Sequence, residues 1–376
     1  MLRQNLGVAL MNIGRLTDAE GELRVAVRLD PNLAAAQNNL GIALKDQGKY
    51  EQAMELYRKA IGLKPDYADA HWNLALVLLR LGQFKEGLAE YEWRGKVRTL
   101  KPLPPLRQTR WNGEELAGKS IVLYPEQGFG DAIQFVRYLP VIEQRGGRVV
   151  VAVPPELRRI FDLSYPSAQM VNFGGQFPPI EMECPLVSLP FAFGTDLNSI
   201  PAQIPYLKTD PTLVEKWGIR LGNRDGKLRI GITWAGNPSH HNDRNRSMNP
   251  ADLRPLADIK HATFYSLQKD KIPTQTLPPG VNLIDLTAEL TDFADTAAMI
   301  QNLDLVISVD TAVAHLAGAI GKPVWVLLPL VPDWRWMQDR GDSPWYPTMR
   351  LFRQRSIGDW PGVIKDVAAA LREMNP

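Results

Sequence analysis

Three short stretches bring together residue types that can hold an anion or move a proton. The first is Ser308-Val309-Asp310-Thr311-Ala312-Val313-Ala314-His315, which directly follows an apolar run. An apolar strand that ends in Asp310 and passes at once into a helix leaves backbone N–H groups pointing at solvent. Those groups and the helix dipole make a site for phosphate oxygens. Thr311 is a good cap residue, and its hydroxyl can add one donor. His315 lies four residues on, on the same helix face, within reach of a phosphate or a sugar. Read alone, the same letters also describe a plain helix cap and a core histidine. The second stretch is Glu126-Gln127-Gly128-Phe129-Gly130-Asp131. Gly128 and Gly130 permit a tight turn and close backbone approach to a ligand, and Asp131 opens the next helix. The third runs from Trp234 to Ser247 and is long, polar and cationic. It includes Gly236 and Asn237, and its Arg244 or Arg246 can clamp a pyrophosphate in bidentate fashion. A solvated loop is the plainer alternative.

Neighbouring features share this rim. Gln268, at the end of TFYSLQ, and the loop after NLIDLT can meet a nucleotide base. His240, His241 and Asp243 lie in one short loop without the helical spacing that presents two histidines to zinc, so no metal site is expected. Residues 331–347 are dense in tryptophan and charge, as a lid or sugar-facing loop would be, with Trp334 and Trp336 as packing anchors the plainer reading. Cys184 opens an apolar run and is expected to be inert.

The elements that must carry these turns alternate between strand and helix. IVLYP, VVVAV, AQMVNF and PLVSL (185–189) read as strands of a first series. LRIGITWAG, TFYSLQ, NLIDLT, LVISVD, VWVLLP and RLFRQ form a second. Amphipathic helices stand between several of them, so each series predicts a parallel sheet flanked by helices. The stretch 201–225 is rich in Pro, Asp and Gly and is read as the hinge between the two halves. Ligands of such folds bind at the carboxyl ends of the strands, where the three candidate turns fall.

Ahead of both halves lies a repeat. Asn5-Leu6-Gly7, Asn39-Leu40-Gly41 and Asn73-Leu74-Ala75 recur at a step of 34 residues. Gly14, Gly48 and Gly82 keep the step, as do Leu16, Tyr50 and Phe84. Each unit reads as helix, glycine turn, second helix and a closing proline, with Ala19, Ala53 and Gly87 letting paired helices approach. No extra capping helix is visible after the third unit. Such a stack offers a concave face to a peptide, or packs only against the rest of its chain. Asn5, Asn39 and Asn73 can clamp a peptide backbone or satisfy helix ends within the stack. The first unit starts abruptly, as if further units preceded it. A stiff LKPLPPL segment, 100–106, follows the array. The expected division is repeats over 1–98, linker over 99–118, a first Rossmann-like half over 119–210 and a second over 211–376.

Composition removes several function classes. In 376 residues the net charge is +2, so no overall field draws nucleic acid or an anionic membrane. One cysteine excludes a disulfide framework and cysteine-based structural zinc. Apolar runs such as Leu74–Leu79 and Val324–Leu328 are too short to span a bilayer, and the N-terminus lacks the continuous apolar stretch of a signal peptide. A cytoplasmic location is expected.

The repeats resemble the tetratricopeptide (TPR) family over about the first quarter of the chain. DLVISVDTAVAHLAGAIGKPVWVLLP resembles the signature of family 9 glycosyltransferases, the heptosyltransferase-like group, in which an Asp-Ser/Thr-x-x-x-His-Leu-Ala turn holds the donor's diphosphate and sugar. Asp310, Thr311, His315, Leu316 and Ala317 match it, while Ala312 stands where the family has glycine. A Gly-Asp pair of that family faces the cleft with its carboxylate as the proposed base, and Gly130-Asp131 matches. The resemblance thus implies Asp131 as base, with Glu126 in reserve, and a donor diphosphate at Thr311, His315 and the Arg244–Arg246 loop. It implies a GT-B pair of Rossmann-like domains behind a TPR superhelix, a layout of bacterial repeat-containing glycosyltransferases that is also similar to that of protein O-GlcNAc transferases. The expected reaction is metal-independent transfer from a nucleotide sugar to an acceptor hydroxyl, on a protein or peptide recruited by the repeats. The short first half suggests that the repeats form part of the acceptor wall. Two rivals stand beside this reading: a scaffold carrying a degenerate transferase domain, and a GT-B-like epimerase or hydrolase that needs no separate acceptor.

Overall fold

The computed structural model describes residues 1–97, 108–175, 177–240, 242–269, 277–281 and 283–374. Both the LKPLPPL joint and His241 lie outside the described residues. The chain forms two compact units.

The first unit holds three helix pairs: α1 (Leu2–Asn12) with α2 (Leu16–Leu29), α3 (Ala34–Lys45) with α4 (Tyr50–Leu63), and α5 (Ala68–Arg80) with α6 (Phe84–Tyr91). Gly14, Gly48 and Gly82 turn each pair at φ of +79°, +79° and +77°, a left-handed conformation that side chains resist. Close approach depends on bare backbone a few residues earlier. A β-carbon at Gly7 would come within 2.5 Å of Leu23, and one at Gly41 within 2.6 Å of the Tyr57 ring. Ala19, Ala53, Leu40 and Leu74 are buried in the shared core. Asn73 Nδ2 donates to Asn38 Oδ1 at 3.0 Å, so this asparagine joins neighbouring repeats.

A short 3-10 segment, Glu92–Lys96, follows α6 and provides an end piece that the sequence reading lacked. Its Trp93 stacks flat on His71, with ring centroids 3.9 Å apart. Pro190–Ser199 and Asp333–Asp339 also belong to this unit. Trp334 meets Phe84 and Tyr91 edge-on, and Trp336 is fully buried, so both tryptophans are packing anchors.

The second unit contains two parallel sheets. The first has strands β1 (Thr109–Arg110), β2 (Ser120–Tyr124), β3 (Arg148–Val153), β4 (Gln169–Asn172) and β5 (Met182–Pro185), in the order β1-β5-β2-β3-β4. Helices α7 (Phe129–Phe135), α8 (Leu139–Gln144) and α9 (Pro155–Ser164) connect its central strands, and a single turn, α10 (Leu189–Ala192), follows β5. After α11 (Pro211–Leu221) the second sheet collects β6 (Leu228–Thr233), β7 (Ala262–Ser266), β8 (Leu283–Asp285), β9 (Leu305–Val309), β10 (Val324–Leu328) and β11 (Met349–Arg353). Their order is β11-β10-β9-β6-β7-β8. The turn α12 (Asp243–Arg246) and helices α13 (Phe293–Gln301), α14 (Ala312–Ala319) and α15 (Trp360–Arg372) complete it. The central strands β2, β6, β9 and β10 are buried throughout, as continuous apolar runs in a helix-covered parallel sheet must be. The architecture is paired-helix repeats followed by an α/β region with two parallel sheets, as the sequence implies.

One local expectation is corrected. The strand placed at 185–189 is Met182–Pro185, between β1 and β2, and Leu186–Ser188 forms a 3-10 turn directly after Pro185. The hinge stretch 201–225 contains an eleven-residue helix, α11, capped by Asp210, which accepts from the Thr212 N–H at 2.8 Å, with Pro211 at its first position. Among the described residues, no helix is long and apolar enough to cross a membrane.

Candidate functional site

Each candidate turn leaves the carboxyl end of a buried strand. After β2, Pro125 and Glu126 lead to Gly128, which caps α7. Asp131 sits in the first turn of α7, and its Oδ2 accepts the Gly128 N–H at 2.9 Å. The carboxylate therefore closes its own helix start, and that bond fixes its plane. Glu126 is partly buried one strand-end away.

In the other half, β9 ends and Asp310-Thr311 leads into α14. Thr311 occupies the cap position with φ −142° and ψ 169°, yet its side chain makes no capping bond. Its hydroxyl lies 3.0 Å from Ser308 Oγ instead. The expectation of Thr311 as an ordinary side-chain cap is thus corrected: the extended backbone turns the hydroxyl toward Ser308. His315 is buried, with Nδ1 2.9 Å from Tyr346 Oη and Nε2 3.9 Å from Asp310 Oδ1.

The two turns come together. A β-carbon on Gly130 would lie 2.8 Å from His315 Cδ2 and 3.6 Å from Ala312 Cα. Glycine at 130 is therefore required for α7 and α14 to meet at their starts. The halves are tied alongside by Arg159 of α9, which donates to Asp292 Oδ1 at 2.8 Å and to Asp295 Oδ2 at 2.9 Å. Burial raises the Asp295 carboxyl, but bonds from Thr291 and Trp217 and the nearby Arg159 charge bring it below its ordinary range. Phe129, at the start of α7, meets Phe293, at the start of α13, edge-on with centroids 5.2 Å apart.

The loop after β6 joins the same rim because β6 pairs directly with β9, Thr233 opposite Ser308. Arg246 lies against the bare backbone of Gly236, where a β-carbon would come within 2.5 Å of its guanidinium. Its Nη1 donates to the Asp310 carbonyl at 3.0 Å and its Nε to Asp243 Oδ1 at 3.3 Å. Arg246 is thus fixed beside the Asp310–Thr311 turn, whereas Arg244 and Asn237 are exposed. Asn237 Oδ1 accepts from the Ser239 N–H at 2.9 Å, closing its own turn. Gln268 is buried, and its Oε1 accepts from the Trp234 and Ala235 N–H groups at 3.2 and 2.9 Å. Its carbonyl oxygen therefore orders the loop's first residues, a role that its place at a strand end did not reveal. His240 Nδ1 accepts from the Asn242 N–H at 3.2 Å, and among the described residues no three metal-ligating side chains cluster.

Four further residues escaped the sequence reading. Buried Arg137 and Tyr346 and half-buried Tyr206 form a group beside His315, and Thr233 Oγ1 at the end of β6 is buried without a partner. Arg137 donates to the Trp345 carbonyl at 2.5 Å and to Tyr206 Oη at 2.9 Å. Burial works against its charge, but the Tyr206 and Tyr346 hydroxyls more than offset this and hold the guanidinium protonated. A hydroxyl-bearing residue where an apolar strand ends was the one available signal, and it applied to Thr233.

Comparison with known proteins places names on these segments. Residues 43–82 match the TPR repeat model. Residues 268–327, which include Gln268 and the whole Asp310–His315 turn, match glycosyltransferase family 9 (heptosyltransferase). Protein FlbA of Caulobacter vibrioides is 29% identical over 293 residues, covering 70% of this chain and 48% of FlbA. The chain thus spans about half the length of that relative. A glycosyl transferase family 9 structure from Veillonella parvula aligns at 9% identity and a TM-score of 0.46, over 70% of this chain and 92% of its own. A structure of MamA protein aligns at 31% identity and a TM-score of 0.25, over 26% of this chain and 53% of its own.

Proposed function

We propose, for a chain that joins TPR repeats to a family 9 glycosyltransferase segment, that the α/β unit transfers a sugar from a nucleotide-sugar donor to an acceptor hydroxyl. The observation that carries the proposal is the contact of Gly130 with His315 and Ala312, which sets the Asp131 turn against the α14 start. On this reading the donor's diphosphate lies at the N-terminus of α14. Backbone N–H groups, the Thr311 hydroxyl, His315 and Arg246 meet its oxygens there. Asp131 takes the proton of the acceptor hydroxyl as that oxygen attacks the anomeric carbon. The bond from that carbon to the diphosphate oxygen breaks, and the nucleoside diphosphate leaves with its charge held by the same donors. A fixed guanidinium and a helix start can carry this charge, which supports transfer without a metal ion. The repeats fit recruitment of a protein or peptide acceptor.

The test is a transfer assay with purified protein, labelled nucleotide sugars and a protein extract from its source, with and without EDTA. Label should pass to a macromolecular acceptor equally in both, and Asp131→Asn should stop it while nucleoside diphosphate binding persists. Undiminished transfer by that variant would remove Asp131 from the mechanism. Free sugar released or epimerised from donor alone would favour the acceptor-independent enzyme, and no turnover in any arm would favour the scaffold.

A further inference from the structure

Tyr346 has no place in the reaction outlined above, yet it is fully buried and meets the imidazole most central to the site. Its ring lies where a β-carbon on Gly318 would intrude, 2.6 Å from Tyr346 Cδ1. Gly318 stands three residues after His315 on α14, so the same helix face that presents the imidazole leaves room for the tyrosine beside it. On the opposite side, Gly130 leaves room for His315 Cδ2. Gly130 thus packs on the imidazole itself, and Gly318 on the tyrosine that meets the imidazole.

Proton counting along the hydroxyl chain then sets the tautomer. Tyr206 has one hydroxyl proton, and its Oη lies 3.0 Å from the Ile133 carbonyl, which can only accept. Tyr206 Oη also receives the Arg137 Nη2–H at 2.9 Å. The Tyr346 proton therefore has two possible acceptors: Tyr206 Oη at 3.3 Å, already engaged by a cation, and His315 Nδ1 at 2.9 Å. The imidazole nitrogen is nearer and more basic. We infer that Tyr346 is a positioning residue that donates to His315 Nδ1 and so holds the neutral imidazole with its hydrogen on Nε2, aimed toward Asp310 and the start of α14. Burial beside Tyr206 raises the Tyr346 hydroxyl far above the ordinary tyrosine range, so the proton it needs is retained. A bond made by one ring nitrogen decides which hydrogen the other presents, and here it leaves an N–H donor for an anionic ligand.

The usefulness of that donor rests on the donor-site reading given above, but the tautomer does not, and the experiment separates them. Long-range proton–nitrogen correlation spectra of 15N-histidine-labelled protein resolve each imidazole, and the chain has only five histidines. His315→Gln assigns the signal. In the wild type, Nε2 should show the protonated shift and Nδ1 the bare one. In Tyr346→Phe, the His315 signals should move toward a mixture of tautomers while those of the other histidines stay in place. The dissociation constant for nucleoside diphosphate should rise about 5–10-fold, the loss of one hydrogen bond. A wild-type hydrogen on Nδ1, hydrogens on both nitrogens at neutral pH, or a tautomer unchanged in Tyr346→Phe would overturn the inference. A tautomer that behaves as stated, in a protein that binds no nucleoside diphosphate, would uphold the role of Tyr346 and overturn the donor reading instead.

Discussion

The two strand-to-helix turns that meet in the α/β unit solve the same problem in opposite ways. After β2, the Asp131 carboxylate bends back to the Gly128 N–H and closes the start of α7 with the protein's own negative charge. After β9, Thr311 stands at the cap position of α14 without a capping bond, and its hydroxyl turns to Ser308. Helix starts gain about 1 kcal/mol from a good cap, so omitting one costs stability unless something else uses the N–H groups. The comparison teaches a division of labour: the closed turn offers a carboxylate, and the open turn offers donors. Arg246, laid on Gly236 and bonded to the Asp310 carbonyl, adds positive charge to the open side only.

The first way to break the comparison is to neutralise the closed turn. Asp131→Asn keeps the size of the side chain and should lower kcat/KM for transfer by about 10²–10⁴-fold, the usual worth of a general base. Nucleoside diphosphate affinity measured alongside should stay within a few-fold. Next, the open turn can be closed. Thr311→Asp places a capping carboxylate where the donor diphosphate is expected. The melting temperature should rise, reflecting about 1 kcal/mol of added helix stability. Nucleoside diphosphate affinity should fall roughly 100-fold, since like charges in contact cost several kcal/mol. A stability gain with unchanged affinity would separate α14 from the ligand.

Smaller changes sharpen the picture. Gly130→Ala in a helix ordinarily gains a few tenths to 1 kcal/mol, but its β-carbon would press on His315. Overpacking of about 1–3 kcal/mol should reverse that gain, lowering the melting temperature and raising KM for the donor about tenfold. Arg246→Lys retains charge but loses the planar fork that reaches both Asp243 and the Asp310 carbonyl. It should weaken nucleoside diphosphate binding about fivefold, read by titration at constant salt.

Legibility in the sequence followed the range of the interactions. The repeats were readable almost to the residue, because glycine turns at positive φ and the apolar positions recur at one step and pack on immediate neighbours. Strands and helices of the α/β unit were readable from apolar runs, except for α11 inside the stretch read as a hinge and where Pro185 ends a strand sooner than the apolar letters do. The turns at Gly128–Asp131 and Asp310–His315 were readable as local patterns. Their meeting was not, because Gly130 and His315 touch only after two sheets have formed. Tyr346, Tyr206 and Arg137 were hidden for the same reason: the Arg137 bond to Trp345 and the Tyr206 bond to Ile133 carry no mark in either segment. Gln268 was legible as a residue of this rim, but nothing local indicated that its carbonyl oxygen would hold the Trp234–Ala235 backbone.

The most direct test of the account is calorimetric titration of UDP, GDP, ADP, CDP and CMP into the full chain without added metal, repeated with a Thr311→Ala/His315→Ala variant. Selective binding of one nucleotide class by the wild type, and its loss in the folded double variant, are the expected results. Binding of none of them by folded wild-type protein, or binding that the double variant retains in full, would contradict a donor site at the start of α14.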